Sequence, residues 1–236
     1  MRAAPPRSRF ELGIVRIVCG ECSWSSPVTA DSPLIELVGV GRTFPGVVAL
    51  DAVDFEVLPG EVVALAGENG AGKSTLMKIL GGVYAADDGS VSINGKSASI
   101  RSVSDATAKG IAFVHQELNV LHNLTVSENV FLGREPRIAR FLVDRSKLNI
   151  DTETYLKRLG MDLPGRTPLS ELSIAQQQMV EIAKALSLNA QILILDEPTS
   201  SLTLTETDRL LNVVQDLRSQ GVSIIYISHR LSEIEM

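Results

Sequence analysis

Residues 67–75 read GENGAGKST and form the most informative stretch of the 236-residue chain. Gly67, Gly72, Lys73 and Ser74 fit the phosphate-binding pattern G-x-x-x-x-G-K-[ST]. Glycines let the backbone turn tightly, so that successive N–H groups point inward at phosphate oxygens. Lys73 then supplies a positive charge near the terminal phosphates, and the Ser74 hydroxyl can bind Mg²⁺. The stretch predicts a nucleoside triphosphate site lined by Gly67, Glu68, Asn69, Gly70, Ala71, Gly72, Lys73, Ser74 and Thr75.

The sequence on both sides of this loop supports the same interpretation. VVALAG (62–67) predicts a short buried strand, and STLMKIL (74–80) predicts the helix that follows. A strand, a glycine-rich loop and a helix together place a phosphate at a helix N-terminus. The alternative is a glycine-rich turn that only begins a helix, which the strand before it disfavours.

Composition and charge narrow the classes of protein. Hydrophobic residues make up 44% of the chain, and 22 basic against 28 acidic residues give a net charge of −6. This balance argues against nucleic acid as a main partner, which usually requires a concentrated basic face. No apolar run approaches the ~20 residues of a membrane span, so any membrane contact is expected through a partner protein. Cys19 and Cys22 form a lone C-x-x-C without a second ligand pair, which disfavours a zinc site.

The order of predicted elements indicates an α/β fold with a parallel sheet. Residues 1–33 lack sustained periodicity and are expected to form a poorly ordered extension. Beyond them the pattern predicts the following elements: strands at 34–40 and 54–59 with a link at 41–53, strands at 89–95 and 111–116, a mostly helical region at 127–160 interrupted at 135–145, a helix from 173, a strand at 192–196, a helix at 204–219 begun by a Thr203–Glu206 capping box, and a strand at 222–228.

Polar residues that follow buried strands are candidates for chemistry. ILILDEPTS (192–200) ends a buried strand in two carboxylates, and the carboxyl edge of a parallel sheet faces the ligand crevice. Asp196 is placed to hold Mg²⁺, and Glu197 to polarise the water that attacks the terminal phosphate. The alternative for this pair is a simple strand-end turn. Gln116 lies at the end of the predicted strand 111–116 and His229 at the end of the strand 222–228, and both are expected at the same crevice.

The order of these motifs resembles the nucleotide-binding domain of ABC transporters. The chain runs through the phosphate loop, Gln116, LSIAQQQ (172–178), Asp196–Glu197 and His229, and the resemblance covers about residues 34–236. It implies a P-loop NTPase fold of ABC type, with a parallel-sheet core, a small antiparallel β subdomain and a helical subdomain at about 117–172. It also implies ATP and Mg²⁺ as cofactors.

The resemblance further implies roles for single residues. Two such domains close head to tail, so Ser173 would bind the γ-phosphate held by the partner cassette. Phe44 would stack on adenine, although it can also be a core phenylalanine beside a turn. Ser74, Gln116 and Asp196 would hold Mg²⁺. Reaction chemistry would fall to the following residues: Lys73, Gln116, Glu197 and His229.

Two departures from the usual family pattern indicate one branch. Ile174 and Ala175 replace the two glycines of the common signature, and Thr203 stands where an aspartate is usual. Both departures, with the segments at 44–50, 115–118, 128–135 and 226–230, resemble the monosaccharide importers of the ribose, xylose and galactose type. Because such importers fuse two cassettes, the resemblance implies the N-terminal cassette of a longer protein, or a truncated one.

The function implied is ATP hydrolysis coupled to monosaccharide import, at the cytoplasmic face of the membrane. The expected partners are permease subunits, a second cassette and, indirectly, a periplasmic sugar-binding protein, with no nucleic acid. Two alternatives remain open. One is a non-catalytic remnant that binds nucleotide, and the other is a soluble ABC ATPase outside transport.

Overall fold

The computed structural model of the protein describes residues 15–18, 32–67, 70–139 and 141–228. Its strands are β1 (Val15–Val18), β2 (Ile35–Phe44), β3 (Val47–Val57), β4 (Val62–Ala66), β5 (Asp88–Ile93), β6 (Lys96–Ser97), β7 (Ile111–Val114), β8 (Arg137–Ala139), β9 (Leu142–Val143), β10 (Ile192–Asp196) and β11 (Ser223–Ile227). Its helices are α1 (Lys73–Leu80), α2 (Val103–Ala108), α3 (Val126–Val130), α4 (Arg145–Arg158), α5 (Ile174–Leu186) and α6 (Leu204–Ser219).

The central sheet has the strand order β1-β4-β11-β10-β7. Strands β4, β11, β10 and β7 are parallel, and β1 pairs antiparallel with the outer edge of β4. Every residue of β11 is buried, as are the first four of β10. Continuous apolar runs of this kind are typical of strands covered on both faces. The predicted α/β fold with a parallel-sheet core is therefore confirmed.

The register of the parallel strands brings their carboxyl ends to one edge. Asp196 at the end of β10 pairs with Ile227 of β11, and Ile227 pairs in turn with Leu65 of β4. On the other side, Leu195 pairs with Val114 of β7. The residues that follow these four strands therefore emerge side by side, which is where ligands bind in open α/β sheets.

A second sheet is antiparallel, with the order β3-β2-β5-β6. The prediction of a link at 41–53 is wrong, because β2 and β3 form one long hairpin around a turn at 45–46. Three register shifts interrupt the β2–β3 pairing. Each shift moves side chains to the opposite face, so the alternation that reveals a strand in sequence is lost. The predicted small antiparallel sheet is nevertheless present.

Helices α3 and α4 pack against α5 and share its apolar core. The predicted interruption of this helical region is a two-stranded hairpin, β8–β9. The division into a subdomain at 117–172 stays a prediction, as does the extension at 1–33, most of which lies outside the described residues. In the part of the chain that the structure describes, no helix is long and apolar enough to cross a membrane.

Candidate active site

The glycine-rich loop leads from β4 into α1. Gly70 and Gly72 have φ angles of 90° and 85°, in the left-handed region that glycine adopts readily. Gly72 is the N-cap of α1, and no side-chain hydrogen bond caps this helix among the residues that the structure describes. A helix N-terminus that begins at a glycine suits an anion such as a phosphate, because its first N–H groups and its dipole favour negative charge. Glu68 and Asn69, which the sequence also assigns to this site, lie outside the described residues.

Lys73 occupies the start of α1 and turns back onto the loop. Its side chain is only 6% exposed, and Nζ donates a hydrogen bond of 2.6 Å to the Gly67 carbonyl oxygen. This contact holds the ammonium group against the loop that is predicted to bind phosphate. The neighbouring Ser74 is exposed and Thr75 is half-buried, so both are accessible from solvent.

Glu197 follows β10 in an unusual backbone conformation. Its φ angle is 47°, which is uncommon for a residue other than glycine. A left-handed conformation costs such a residue about 1–2 kcal/mol. The Glu197 N–H donates to the Ile227 carbonyl oxygen at 3.0 Å, which ties this turn to the end of β11. Retained strain of this kind is concentrated at functional sites.

Gln116 joins Glu197 across the sheet edge. Its Nε2 donates a hydrogen bond of 3.0 Å to Glu197 Oε2, between residues that are 81 positions apart. The structure thus brings together two of the residues that the sequence assigns to reaction chemistry. His229, the third strand-end residue in that assignment, lies outside the described residues.

His115 precedes Gln116 and has a perturbed environment. Its ring stacks on Phe113, with ring centroids 4.3 Å apart. Burial lowers the pKa of His115, while the negative charge of Asp196 opposes that shift and Lys78 adds to it. Nothing in the sequence distinguishes this histidine, because a lone histidine at the end of a strand forms no recognisable motif.

Phe44, the predicted adenine-stacking residue, ends β2 within a small aromatic group. Its ring meets Tyr84 edge to face at 5.3 Å, and the Arg42 guanidinium carbon lies 5.1 Å from its centroid. Arg42 also forms a salt bridge with Asp87. The Thr43 backbone N–H and Arg42 lower the pKa of Asp87. Phe44 itself is half-buried, so it is not enclosed in the core.

Ser173, the predicted contact to a partner cassette, is exposed at the N-terminus of α5. It forms a capping box with Gln176: its Oγ accepts from the Gln176 N–H at 3.3 Å, and Gln176 Oε1 accepts from the Ser173 N–H at 3.0 Å. Ile174, which replaces a glycine of the common signature, is 52% exposed. The departures therefore leave the helix start intact and place an apolar side chain beside it.

Three residues that the sequence assigns to Mg²⁺ offer oxygen ligands that suit a hard cation. Ser74, Gln116 and Asp196 offer a hydroxyl, an amide and a carboxylate oxygen, the ligand type that Mg²⁺ prefers. No cluster of three or more His, Cys, Asp or Glu side chains that could hold a metal occurs among the described residues. These residues fit a cation that takes its remaining ligands from phosphate and water.

Comparison with known proteins settles the family. The model of the ABC transporter family matches residues 50–200. The chain belongs to the ABC transporter family. It is 55% identical over 201 residues to a putative ribose/galactose/methyl galactoside import ATP-binding protein 1 of Burkholderia ambifaria, covering 85% of this chain and 39% of that protein. It is 50% identical over 202 residues to the ribose import ATP-binding protein RbsA of Geobacillus kaustophilus, covering 85% and 41%. The chain thus spans less than half the length of these relatives.

Solved structures confirm the ABC fold. The ADP conformation of MJ1267, an ATP-binding cassette of an ABC transporter, superposes with a TM-score of 0.77 at 25% identity, covering 86% of this chain and 84% of that one. A dimeric post-hydrolysis state of the cassette MJ0796, bound to ADP and Pi, gives a TM-score of 0.70 at 25% identity, covering 85% and 90%.

Proposed function

We propose that this chain binds ATP with Mg²⁺ and hydrolyses ATP as a cassette of an importer for monosaccharides of the ribose and galactose type. The relatives that carry this sugar specificity in their names support the branch. The observation that carries the hydrolytic function is the hydrogen bond from Gln116 to the strained Glu197, at the edge where the phosphate loop also begins.

The roles follow from where each group lies. The N-terminus of α1 and the Lys73 ammonium would bind the β- and γ-phosphates, because both present positive charge to an anion. Glu197 would orient and deprotonate the attacking water. Gln116 would fix the position of the Glu197 carboxylate through their hydrogen bond. His229 would hold the γ-phosphate. Mg²⁺, held by Ser74, Gln116 and Asp196, would neutralise phosphate charge.

The site also requires partners. The exposed Ser173 at the start of α5 would contact the γ-phosphate of a second cassette packed head to tail. The helical region would contact permease subunits at the cytoplasmic face of the membrane, and these would engage a periplasmic sugar-binding protein. Phe44 would stack on adenine, with its ring held in place by Tyr84 and Arg42.

The test of hydrolysis is Glu197→Gln, which keeps the size of the side chain and removes its basicity. ATP affinity should stay within about twofold while kcat falls at least about tenfold, as expected for a lost general base. Glu206→Gln, the same change in the exposed cap of α6, is the matched control and should leave kcat unaltered. Native turnover in Glu197→Gln would exclude Glu197 as the base, and no turnover in the native chain would favour a non-catalytic role.

The transport assignment needs a separate experiment. The chain should co-purify with membrane permease subunits, and ribose or galactose with its binding protein should raise ATP turnover in that assembly. Association with ribosomes instead would indicate an ABC ATPase outside transport.

A further inference from the structure

The segment that follows Gln116 is fixed by side chains rather than by regular secondary structure. Between β7 and α3 the chain forms no helix and no strand, only irregular backbone with bends, a turn and an isolated bridge from Thr125 to Pro168. The Asn119 N–H donates to Glu181 Oε1 at 2.6 Å. The Leu121 N–H donates to Asn129 Oδ1 at 2.7 Å, and Asn129 Nδ2 donates back to the Leu121 carbonyl oxygen at 3.0 Å. Two buried polar side chains, one on α5 and one on α3, therefore hold this segment.

Of the two buried side chains that hold this segment, Glu181 is less expected than Asn129. It lies in the middle of α5 and is 6% exposed, and a carboxylate is rarely this buried without a partner group. Its Oε2 has no hydrogen-bond partner among the described residues. Glu181 lines a cavity of about 260 Å³ together with Phe113 and His115. Burial raises its pKa, while the Asn119 N–H and the charge of Lys184 oppose that shift.

Burying the Glu181 carboxylate costs free energy, so its presence in α5 needs an explanation. An apolar side chain at this position of α5 would pack without desolvating a charge. What the carboxylate adds is an acceptor for the Asn119 N–H, three residues beyond Gln116. That bond connects α5 to the segment that follows Gln116, the residue that contacts Glu197.

We propose that Glu181 is a positioning residue that sets Gln116 against Glu197 and so links α5 to the hydrolytic site. This rests on the proposed function. Ser173 begins the same helix, about 12 Å from Glu181 along its axis. A displacement of α5 when Ser173 meets a partner cassette would therefore reach Gln116 through one hydrogen bond.

Two substitutions distinguish the effect of the Glu181 hydrogen-bond acceptor from the effect of the side chain's size. Glu181→Met keeps a side chain of similar length and removes the acceptor, so kcat should fall about tenfold because Gln116 is misplaced. Glu181→Gln keeps an acceptor and should restore kcat to within about twofold of the native value. ATP affinity should stay unchanged in both. Equal losses in the two variants would overturn the proposal.

A double-mutant cycle tests whether Glu181 acts through Gln116. In a Gln116→Ala background, Glu181→Met should lower kcat less than about twofold, because the side chain that it positions is gone. A full tenfold loss there would overturn the proposal. Ser187→Ala is the matched control: Ser187 is buried at the C-terminal end of α5 and hydrogen-bonds the Val130 carbonyl oxygen, so its loss should affect stability but not kcat.

Two further measurements cover the remaining cases. Asn119→Pro removes the donor and leaves α5 intact, so it should reproduce the loss of kcat even if Glu181→Met does not fold. Hydrogen exchange of the Asn119 amide should quicken at least about tenfold in Glu181→Met and not in Glu181→Gln. This readout needs no turnover, so it separates failure of the positioning contact from failure of the proposed ATPase function. Unchanged exchange in Glu181→Met would overturn the inference.

Discussion

Helices α1 and α5 begin in opposite ways, although both N-termini are proposed to meet a phosphate. Gly72 starts α1 without any side-chain cap, whereas Ser173 starts α5 in a capping box with Gln176. A helix start of the first kind leaves room for an anion at its N-terminus. At α5, by contrast, side-chain oxygens of Ser173 and Gln176 already accept hydrogen bonds from two of the backbone N–H groups at the helix start. We infer that α1 is organised to bind phosphate alone, and that α5 completes a site built elsewhere.

The other capping boxes extend this comparison. Helices α3 and α6 begin with Thr125–Glu128 and Thr203–Glu206, where a carboxylate reaches back to the cap N–H. Helix α5 makes the same contact with the neutral amide of Gln176. A carboxylate at a helix N-terminus favours the helix but repels an approaching anion. The neutral cap of α5 avoids this repulsion, which suits a helix N-terminus that is proposed to meet the phosphate of a second nucleotide.

The largest effect is expected at α1. Lys73→Met removes the ammonium group that donates to the Gly67 carbonyl oxygen. Hydrolysis should fall about 10²–10³-fold, as for other preorganised donors. Lys78→Met, on the same helix, is the matched control and should change hydrolysis less than about twofold. Steady-state turnover and binding of a fluorescent ATP analogue would measure both. Similar losses in the two variants would show that only the net charge of α1 matters.

A smaller effect is expected at α5. Gln176→Glu keeps the capping box and converts its neutral member to a carboxylate like those of α3 and α6. The free energy of unfolding should not change. The affinity of two chains for each other in the presence of ATP should fall about tenfold, because the new charge faces the phosphate bound to the partner chain. Sedimentation with Glu197→Gln chains and ATP would measure the pairing. Unaltered pairing would place α5 away from the second nucleotide.

The comparison also shows what the sequence could and could not predict. The strand at 192–196, the helix that starts at Lys73 and the capping box of α6 are local patterns, which the sequence predicts and the structure contains. The Asn119–Glu181 contact was not, because it joins residues 62 positions apart and a single glutamate in an apolar helix carries no pattern. The aromatic group around Phe44 was missed for the same reason. The β2–β3 hairpin was missed because bulges erase the alternation of its strands.

The smallest effect is the pH dependence of the helix caps, which should differ between the capping box of α5 and those of α3 and α6. Backbone N–H groups of Thr125 and Thr203 lower the pKa of Glu128 and Glu206 below the ordinary 4.5. A carboxylate whose pKa is lower in the folded state contributes stability that is present above its unfolded pKa and is lost as pH falls through the folded value. The caps of α3 and α6 should therefore weaken on acidification. Helix α5 should not respond, since the amide of Gln176 does not titrate.

Amide NMR would resolve this difference, because the cap N–H groups of Thr125, Thr203 and Ser173 each report on their own box. The first two should show a titration step below pH 4.5, and Ser173 should show none. Gln176→Glu should introduce a step at Ser173, and Glu206→Gln should abolish the step at Thr203. A step at Ser173 in the native protein would mean that the signal reports general acid unfolding, and the distinction between α5 and the other two helices would then fail.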